Sequence, residues 1–399
     1  MPLNLVDTAA QIDGMAGELR SRRKQHALRL ENALITLQNF PVADYSKRLL
    51  NGDFGWDAPA ILEPPYITHD PAPIPSDFTV VAVDGSHIDV DRHLSARCFL
   101  INTGSAILTY GAHPNAELDS EAKLYGNTDD LIIRDPDTGA EQVIEGAVLG
   151  AKRMVEEMRQ LAKILRSLPS GTPTLALVDG PLVMLGLVGQ GYSDYVRQQL
   201  LEDGFVNALE DIRDLAKNRL LSIAGYTSLP RYSEVIGALR HGICGYSDVS
   251  SRCGIVESDR ATCDTCVGGI QDRELFTKLL GPGERSGLFS TASRVVVNHY
   301  RDTGIVFFYV NVGHEIARIE VPSWTAQDDS ALSLTHSLII DQARRGQGYP
   351  ITLMEAHEKA VISGGDRRYF SDLVDRALQG HDMPVATSEK ARSKRLRWL

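Results

Sequence analysis

Two aspartates each end a short apolar run, Asp84 in VVAVDGS and Asp179 in LALVDGP. A carboxylate just past a buried strand is held at the rim of a sheet while the following glycine lets the backbone turn away. If the two strands are neighbours, both side chains can share one hard divalent cation. Mg²⁺ and Mn²⁺ prefer oxygen ligands and keep positions open for water and phosphate, which is the chemistry of phosphodiester hydrolysis. With two ions about 4 Å apart, one activates the attacking water and the other stabilises the leaving oxygen. A single Asp-Gly also marks ordinary turns, so the matched context of the pair carries the signal.

A third carboxylate is expected from the helix that precedes Asp179, where Glu156 and Glu157 are adjacent. Met154, Met158, Leu161 and Leu165 form an apolar stripe on that helix. Glu157 sits at its edge, whereas Glu156 lies with Lys152, Gln160 and Lys163 on the opposite face. Glu157 is therefore preferred, the alternative being that both are solvated helix charges. Further on, GYPITLMEAHEKAVIS places Tyr349 before a proline and puts Glu355, His357 and Glu358 at a helix start. A histidine there can ligate metal or move a proton near neutral pH, although a lone histidine beside apolar residues is commonly structural.

A second metal question comes from Cys244, Cys253, Cys263 and Cys266, of which only Cys263 and Cys266 have a familiar ligand spacing. Four thiolates can hold a structural Zn²⁺ or an iron-sulfur cluster; the alternative is reduced thiols in a loop-rich insertion. Cys98, alone inside a strand, reads as core. Arg285 and Ser286, in PGERSGLF, read either as a phosphate-contacting turn or as a plain surface loop.

The elements that must position these residues follow from periodicity. A long polar helix is expected over about 11–39, as an arm or dimer contact, and then a proline-dense connector over 57–77. Phe78 to Val83 reads as a buried strand. Ala96 to Asn102 and Ala106 to Tyr110 read as a hairpin around Thr103-Gly104-Ser105. A helix over 142–168, a strand over 174–178, a helix over 195–217 and a strand over 220–224 alternate as in α/β sheets. Strands at 305–310 and 316–321 precede helices at 331–344, 353–362 and 369–378. The division expected is an arm and connector over 1–77, a main domain over 78–380 with a cysteine-containing insertion at about 243–270, and a basic tail over 381–399.

Hydrophobic residues make up 43% of the 399, enough for a substantial core. No apolar run reaches membrane-spanning length, the first residues lack a signal-peptide layout, and clustered cysteines do not suggest a secreted disulfide scaffold, so a cytoplasmic protein is expected. A formal charge of −11 argues against non-specific wrapping of nucleic acid without excluding one basic groove. The basic runs at Arg20 to Lys24 and Lys390 to Arg397 could meet phosphates or be solvated surface. There is no P-loop to supply a motor.

Taken in order and over this length, VVAVDGS, ALVDGPL and GYPITLMEAHEKA resemble the motifs of the NurA nucleases. That resemblance implies an RNase H-like mixed sheet flanked by helices, here with an N-terminal helical arm and a cysteine-containing insertion. It also implies Mn²⁺-dependent 5′ to 3′ exonuclease and single-strand endonuclease activity on DNA ends, and a homodimer working beside a HerA-type hexameric ATPase in end resection. Asp84, Glu157 and Asp179 match the family's acidic metal ligands, His357 its C-terminal histidine and Tyr349 the tyrosine upstream of it, which would position the DNA strand. Glu156 stays open as the alternative third acid. The four cysteines depart from the archaeal members. Two other functions remain on the table: a non-catalytic partner that docks on a HerA-like ATPase, and a nuclease of RNA or hybrid substrates.

Overall fold

The computed structural model of the chain describes residues 4–51, 58–89, 96–187, 191–244 and 262–383. Cys253 and the basic tail lie outside the described residues. The chain divides into two compact units, one of Met1–Pro71, Ser228–Ser293 and Val306–Ile319, the other of Ala72–Thr227, Arg294–Ile305 and Glu320–Leu399. Among the described residues no helix is long and apolar enough to cross a membrane.

In the first unit the helix Leu5–Gln38 is exposed over its N-terminal half and buries Ala33 and Leu37 near its end. Those two pack with Phe40, Tyr45, Leu239, Phe276, Phe289 and Phe307. The proline-dense stretch contributes two short antiparallel strands, Ala60–Ile61 on Phe289–Ser290 and Thr68–His69 on Arg285–Ser286. Arg285 and Ser286 are therefore neither a surface loop nor a phosphate-contacting turn. Both are buried, and the Arg285 guanidinium donates to Glu63 at 3.1 Å.

The second unit holds every residue of the candidate site. Its sheet contains β1 (Phe78–Ile88), β2 (Phe99–Tyr110), β3 (Asn115–Tyr125), β4 (Thr174–Asp179) and β5 (Leu221–Thr227), in the order β5-β4-β1-β2-β3. β1, β4 and β5 run parallel, while β2 and β3 add antiparallel. The sheet is mixed because β2 and β3 connect by a short turn between Tyr110 and Asn115, which forces antiparallel pairing, whereas β4 is reached through a helix. That helix is α1 (Gly146–Ser167), whose Met158, Leu161 and Leu165 pack on Val81, Val83, Ala176 and Val178. On it rests a helical stretch running from Asp194 to Ala216, wound as a π-helix between Gln198 and Val206. The other helices named below are α2 (Asp329–Arg345), α3 (Ile351–Ala360) and α4 (Gly364–Gly380).

Three elements differ from the expectation. β1 does not end at Val83: Asp84, Gly85 and Ser86 stay in the strand, which runs to Ile88 because β2 continues to pair with it. Residues 103–105 are not a hairpin turn: β2 runs through them as one strand of 12 residues, and Gly104 pairs with Asp84 across the ladder. A glycine inside a strand can mark a close approach instead of a bend, and that is its role here. β3 was not foreseen at all. Nearly every residue of NAELDSEAKLY is exposed, so it lacks the alternation that betrays a half-buried strand. Its state is set by the ladder with β2, from Phe99–Tyr125 to Thr109–Asn115.

Candidate active site

The register of β1 and β4 runs from Thr79–Thr174 to Val83–Val178, so Asp84 and Asp179 follow side by side where this parallel ladder stops, Asp179 at the end of β4 and Asp84 within β1, which continues to Ile88. Side chains alternate along a strand. Val81, Val83, Ala176 and Val178 face α1, which turns Asp84 and Asp179 together to the opposite face. Gly180, at φ +97°, then takes the chain away in a conformation that other residues rarely adopt. Its N–H donates to the Tyr226 carbonyl at 2.8 Å. The following turn is pinned by buried groups: Leu182 N–H donates to Glu320 at 2.9 Å, and the Tyr300 hydroxyl donates to the Leu182 carbonyl at 2.8 Å.

α3 covers the face to which the two aspartates point. It lies against β2 where Gly104 has no side chain, so that a Cβ there would collide with the backbone of Ala356 and Ala360. Two sheet residues secure the helix end. Ser86 Oγ and Asn102 Nδ2, the latter at 2.9 Å, donate to the Ala360 carbonyl, one of the terminal carbonyls that a helix cannot satisfy internally. This docking sets His357 over Asp84, with Nδ1 at 2.7 Å from Oδ2. With Nδ1 donating, Nε2 is the acceptor nitrogen of a neutral ring. The other oxygen of Asp84 accepts the N–H of Gly85 at 2.7 Å. Tyr349, just before α3, stands edge-on to Tyr226 at 5.3 Å and hydrogen bonds Asp179. Its hydroxyl is thus engaged in orienting a carboxylate.

Glu157 approaches from the other face of the sheet. Gly85 is the gap it enters through, since a Cβ at that position would overlap the Glu157 carboxylate. The charges of Asp84 and Asp179 both act on it. Burial, opposed by Arg153 and reinforced by those two aspartates, pushes the Glu157 carboxyl up to about 8. Asp179 is raised by partial burial and by Asp84, against the Tyr349 hydrogen bond, His357 and Arg153. It lies exposed at the rim, so solvent softens its shift relative to that of Glu157. Arg153, one turn before Glu157, was not anticipated. Its Nη1 sits 3.2 Å from Glu157 Oε1 and donates to the Gly85 carbonyl. An arginine at i−4 on an acid-bearing helix was the available signal.

The adjacent glutamates therefore have different surroundings. Glu156 points away to Lys152 at 3.2 Å and Arg159 at 3.3 Å. Of the cysteines, Cys244 and Cys263 are buried and Cys266 partly so.

Three carboxylates and an imidazole suit a hard divalent cation. Glu157 Oε1 is buried and accepts no hydrogen bond, despite its ion pair with Arg153, which leaves a lone pair for a ligand. Among the described residues no three His, Cys, Asp or Glu side chains are already spaced to hold a metal ion. The set fits an ion that takes a few carboxylates and keeps waters, as Mg²⁺ and Mn²⁺ do, and does not fit a fully protein-built cage.

The Glu157 shift has a sign that can be measured. A carboxyl that titrates near 8 in the fold, and near its ordinary 4.5 when unfolded, holds more protons in the folded state between those values. Its contribution to stability is fully present below pH 4.5 and is lost as pH rises towards 8. In chelator-treated protein, the melting temperature of Glu157→Gln is expected to fall less than that of wild type between pH 5 and 8. Parallel curves would refute the assignment.

The family model described as the NurA domain matches residues 78–362. Two NurA crystal structures are among those that resemble the chain. One, described as NurA bound to dAMP and manganese, is 14% identical, with 75% of this chain covering 88% of that one at a TM-score of 0.37. The other, described as NurA with manganese, is 12% identical, with 78% covering 91% at a TM-score of 0.39. No curated protein matches the chain. The family assignment does not rest on those low structural scores: the model takes in well over half of the sequence and encloses Asp84, Glu157, Asp179, Tyr349 and His357, and the chain belongs to the NurA family.

Proposed function

We propose that this protein is a divalent-metal-dependent nuclease of DNA, acting on ends in the 5′ to 3′ direction and endonucleolytically on single strands. The observation that carries the reading is the pairing of Asp84 and Asp179 on neighbouring parallel strands, with Glu157 entering through the gap at Gly85. Asp84, Asp179 and Glu157 would hold the ion, with His357 beside them. A bound Mn²⁺ or Mg²⁺ supplies Lewis acidity and a more acidic water.

The remaining steps belong to the chain. Deprotonated Glu157 offers its buried oxygen once Arg153 offsets the repulsion of the two aspartates. Tyr349 fixes the Asp179 carboxylate, and His357, held by Asp84, can move a proton at Nε2 between water and the ester oxygen. In hydrolysis the water oxygen bonds to phosphorus, the ester P–O bond breaks, and the departing oxygen takes a proton. A homodimer, a HerA-type ATPase partner and work in end resection are part of the same proposal, on family grounds.

Manganese, held in the NurA crystal structures described above, is the first ion to test. The purified protein, given matched 5′-labelled DNA, RNA and hybrid ends with and without Mn²⁺, should release nucleotides from DNA only when the ion is present. Preference for RNA would move the substrate assignment. No release from any of them would leave a docking protein on a nuclease fold as the better reading.

A further inference from the structure

β4 stops at Asp179 while β1 runs on to Ile88, so beyond the two aspartates one edge of β1 has lost its neighbouring strand. The backbone identifies that edge. Thr79 N–H donates to the Pro173 carbonyl at 2.9 Å, so the odd-numbered residues of β1 turn their peptide groups towards β4, and those of Gly85 and His87 face the side that β4 has left. Asp84 lies along the same edge, since its Oδ1 accepts the Gly85 N–H at 2.7 Å. An open strand edge leaves peptide groups that need partners.

Two guanidinium groups supply them. Arg153, on α1, donates to the Gly85 carbonyl, and Arg367, near the start of α4, donates to the His87 carbonyl at 3.0 Å. Both also act on the His87 ring. Burial, with Arg153 and Arg367 against Asp89, holds that imidazole below its ordinary value, so the ring is neutral and adds no charge. Moving along the edge from Asp179, the order is therefore Asp84, Arg153, Arg367. A guanidinium carries five donors in a rigid fork. Among the described residues Arg153 commits only Nη1, to Gly85 and Glu157, and Arg367 only Nη2, to His87. Arg153 answers the charge of Glu157, whereas Arg367 is exposed and makes no ion pair among the described residues. The adjacent Asp366 is turned back onto Ser363 as part of the cap of α4.

We propose that the open edge of β1 is a track for one nucleic-acid strand, in which Arg367 holds the phosphate next to the one lying at Asp84 and Asp179. The inference rests on the nuclease reading and adds a substrate-binding residue and the direction in which the strand leaves the site. A planar fork tied through one nitrogen to a backbone carbonyl presents its other N–H groups in a fixed direction, which suits the oxygens of a phosphate. The contact is to phosphate and therefore independent of base sequence.

Binding can be read without cleavage. In EDTA, anisotropy of a labelled oligothymidylate is followed against salt for wild type, Arg367→Gln, Arg367→Lys and Arg368→Gln. Arg367→Gln is expected to bind about tenfold more weakly, with a salt slope lower by about 0.7, as for one phosphate contact on a single strand. Arg367→Lys keeps the charge and loses the fork, so it should keep the slope and bind a few-fold more weakly, and it decides the question if the glutamine variant does not fold. Equal affinity and slope in all four proteins, or an equal loss in Arg368→Gln, would overturn the track. Mn²⁺-dependent release of nucleotides from linear DNA by wild type tests the nuclease reading by itself. Its absence, with binding still lost in Arg367→Gln, would overturn the nuclease and leave a strand-binding edge; cleavage with binding unchanged in Arg367→Gln would do the reverse.

Discussion

Asp84→Asn and Asp179→Asn are each expected to lose Mn²⁺-dependent DNA cleavage by at least about a thousandfold, or about 4 kcal/mol of transition-state stabilisation. The magnitude follows from position. Both carboxylates are held rigidly on adjacent strands, Asp84 within β1 and Asp179 at the end of β4, and neither has a neighbouring acid that could replace it from the same strand. Asparagine keeps the shape and removes the charge that a hard cation requires. The fold should survive, because the strands beneath are held by Val81, Val83, Ala176 and Val178 in a core that neither substitution touches. Release of labelled nucleotides measures the loss, circular dichroism checks the fold, and the stabilisation of wild type by Mn²⁺ in a thermal melt should shrink in both variants. Undiminished digestion by either variant would end the proposed metal site.

Gly104→Ala is expected to be nearly as damaging although no chemistry passes through it. A Cβ there meets the backbone of Ala356 and Ala360, which cannot rotate aside as a flexible side chain can. α3 must lift from β2, at a cost of about 1–3 kcal/mol for an overpacked contact. Lifting weakens the hydrogen bonds from Ser86 and Asn102 to the Ala360 carbonyl and draws His357 away from Asp84. Both melting temperature and cleavage rate should drop. Gly150→Ala is the control: it adds a methyl group to α1 where nothing lies within 4 Å, and a helix interior favours alanine by about 0.5–1 kcal/mol. If Gly104→Ala melts with wild type and cuts as fast, then the contact with α3 does not hold His357 in place.

Both predictions turn on features that differ in how far the linear string reveals them. Apolar runs followed by Asp-Gly mark Asp84 and Asp179 because burial is written in residue type, yet only at Asp179 does the strand end, since pairing with β2 carries β1 past Asp84 to Ile88. The helical stripe separates Glu157 from Glu156 for the same reason, and the two indeed stand in different surroundings. His357 and Tyr349 were marked by the resemblance of their segment, since a lone histidine and tyrosine carry little signal of their own. Gly104 reads locally as a turn, because nothing in Thr103-Gly104-Ser105 records that a helix some 250 residues later must touch it. β3 has no pattern to read, since it buries almost nothing.

Taken alone, the string determined which segments are buried strands and amphipathic helices, and which carboxylates directly follow their apolar runs, because those properties depend on neighbours a few residues away. The tertiary structure alone decided that Asp84 and Asp179 share a face, that Glu157 enters from the other through Gly85, that Arg153 accompanies it, and that Ser86, Asn102 and Gly104 seat α3. The reason is physical: strand order, register and helix docking are settled by contacts between residues distant in sequence, and a one-residue change of register would send each of these side chains to the opposite face.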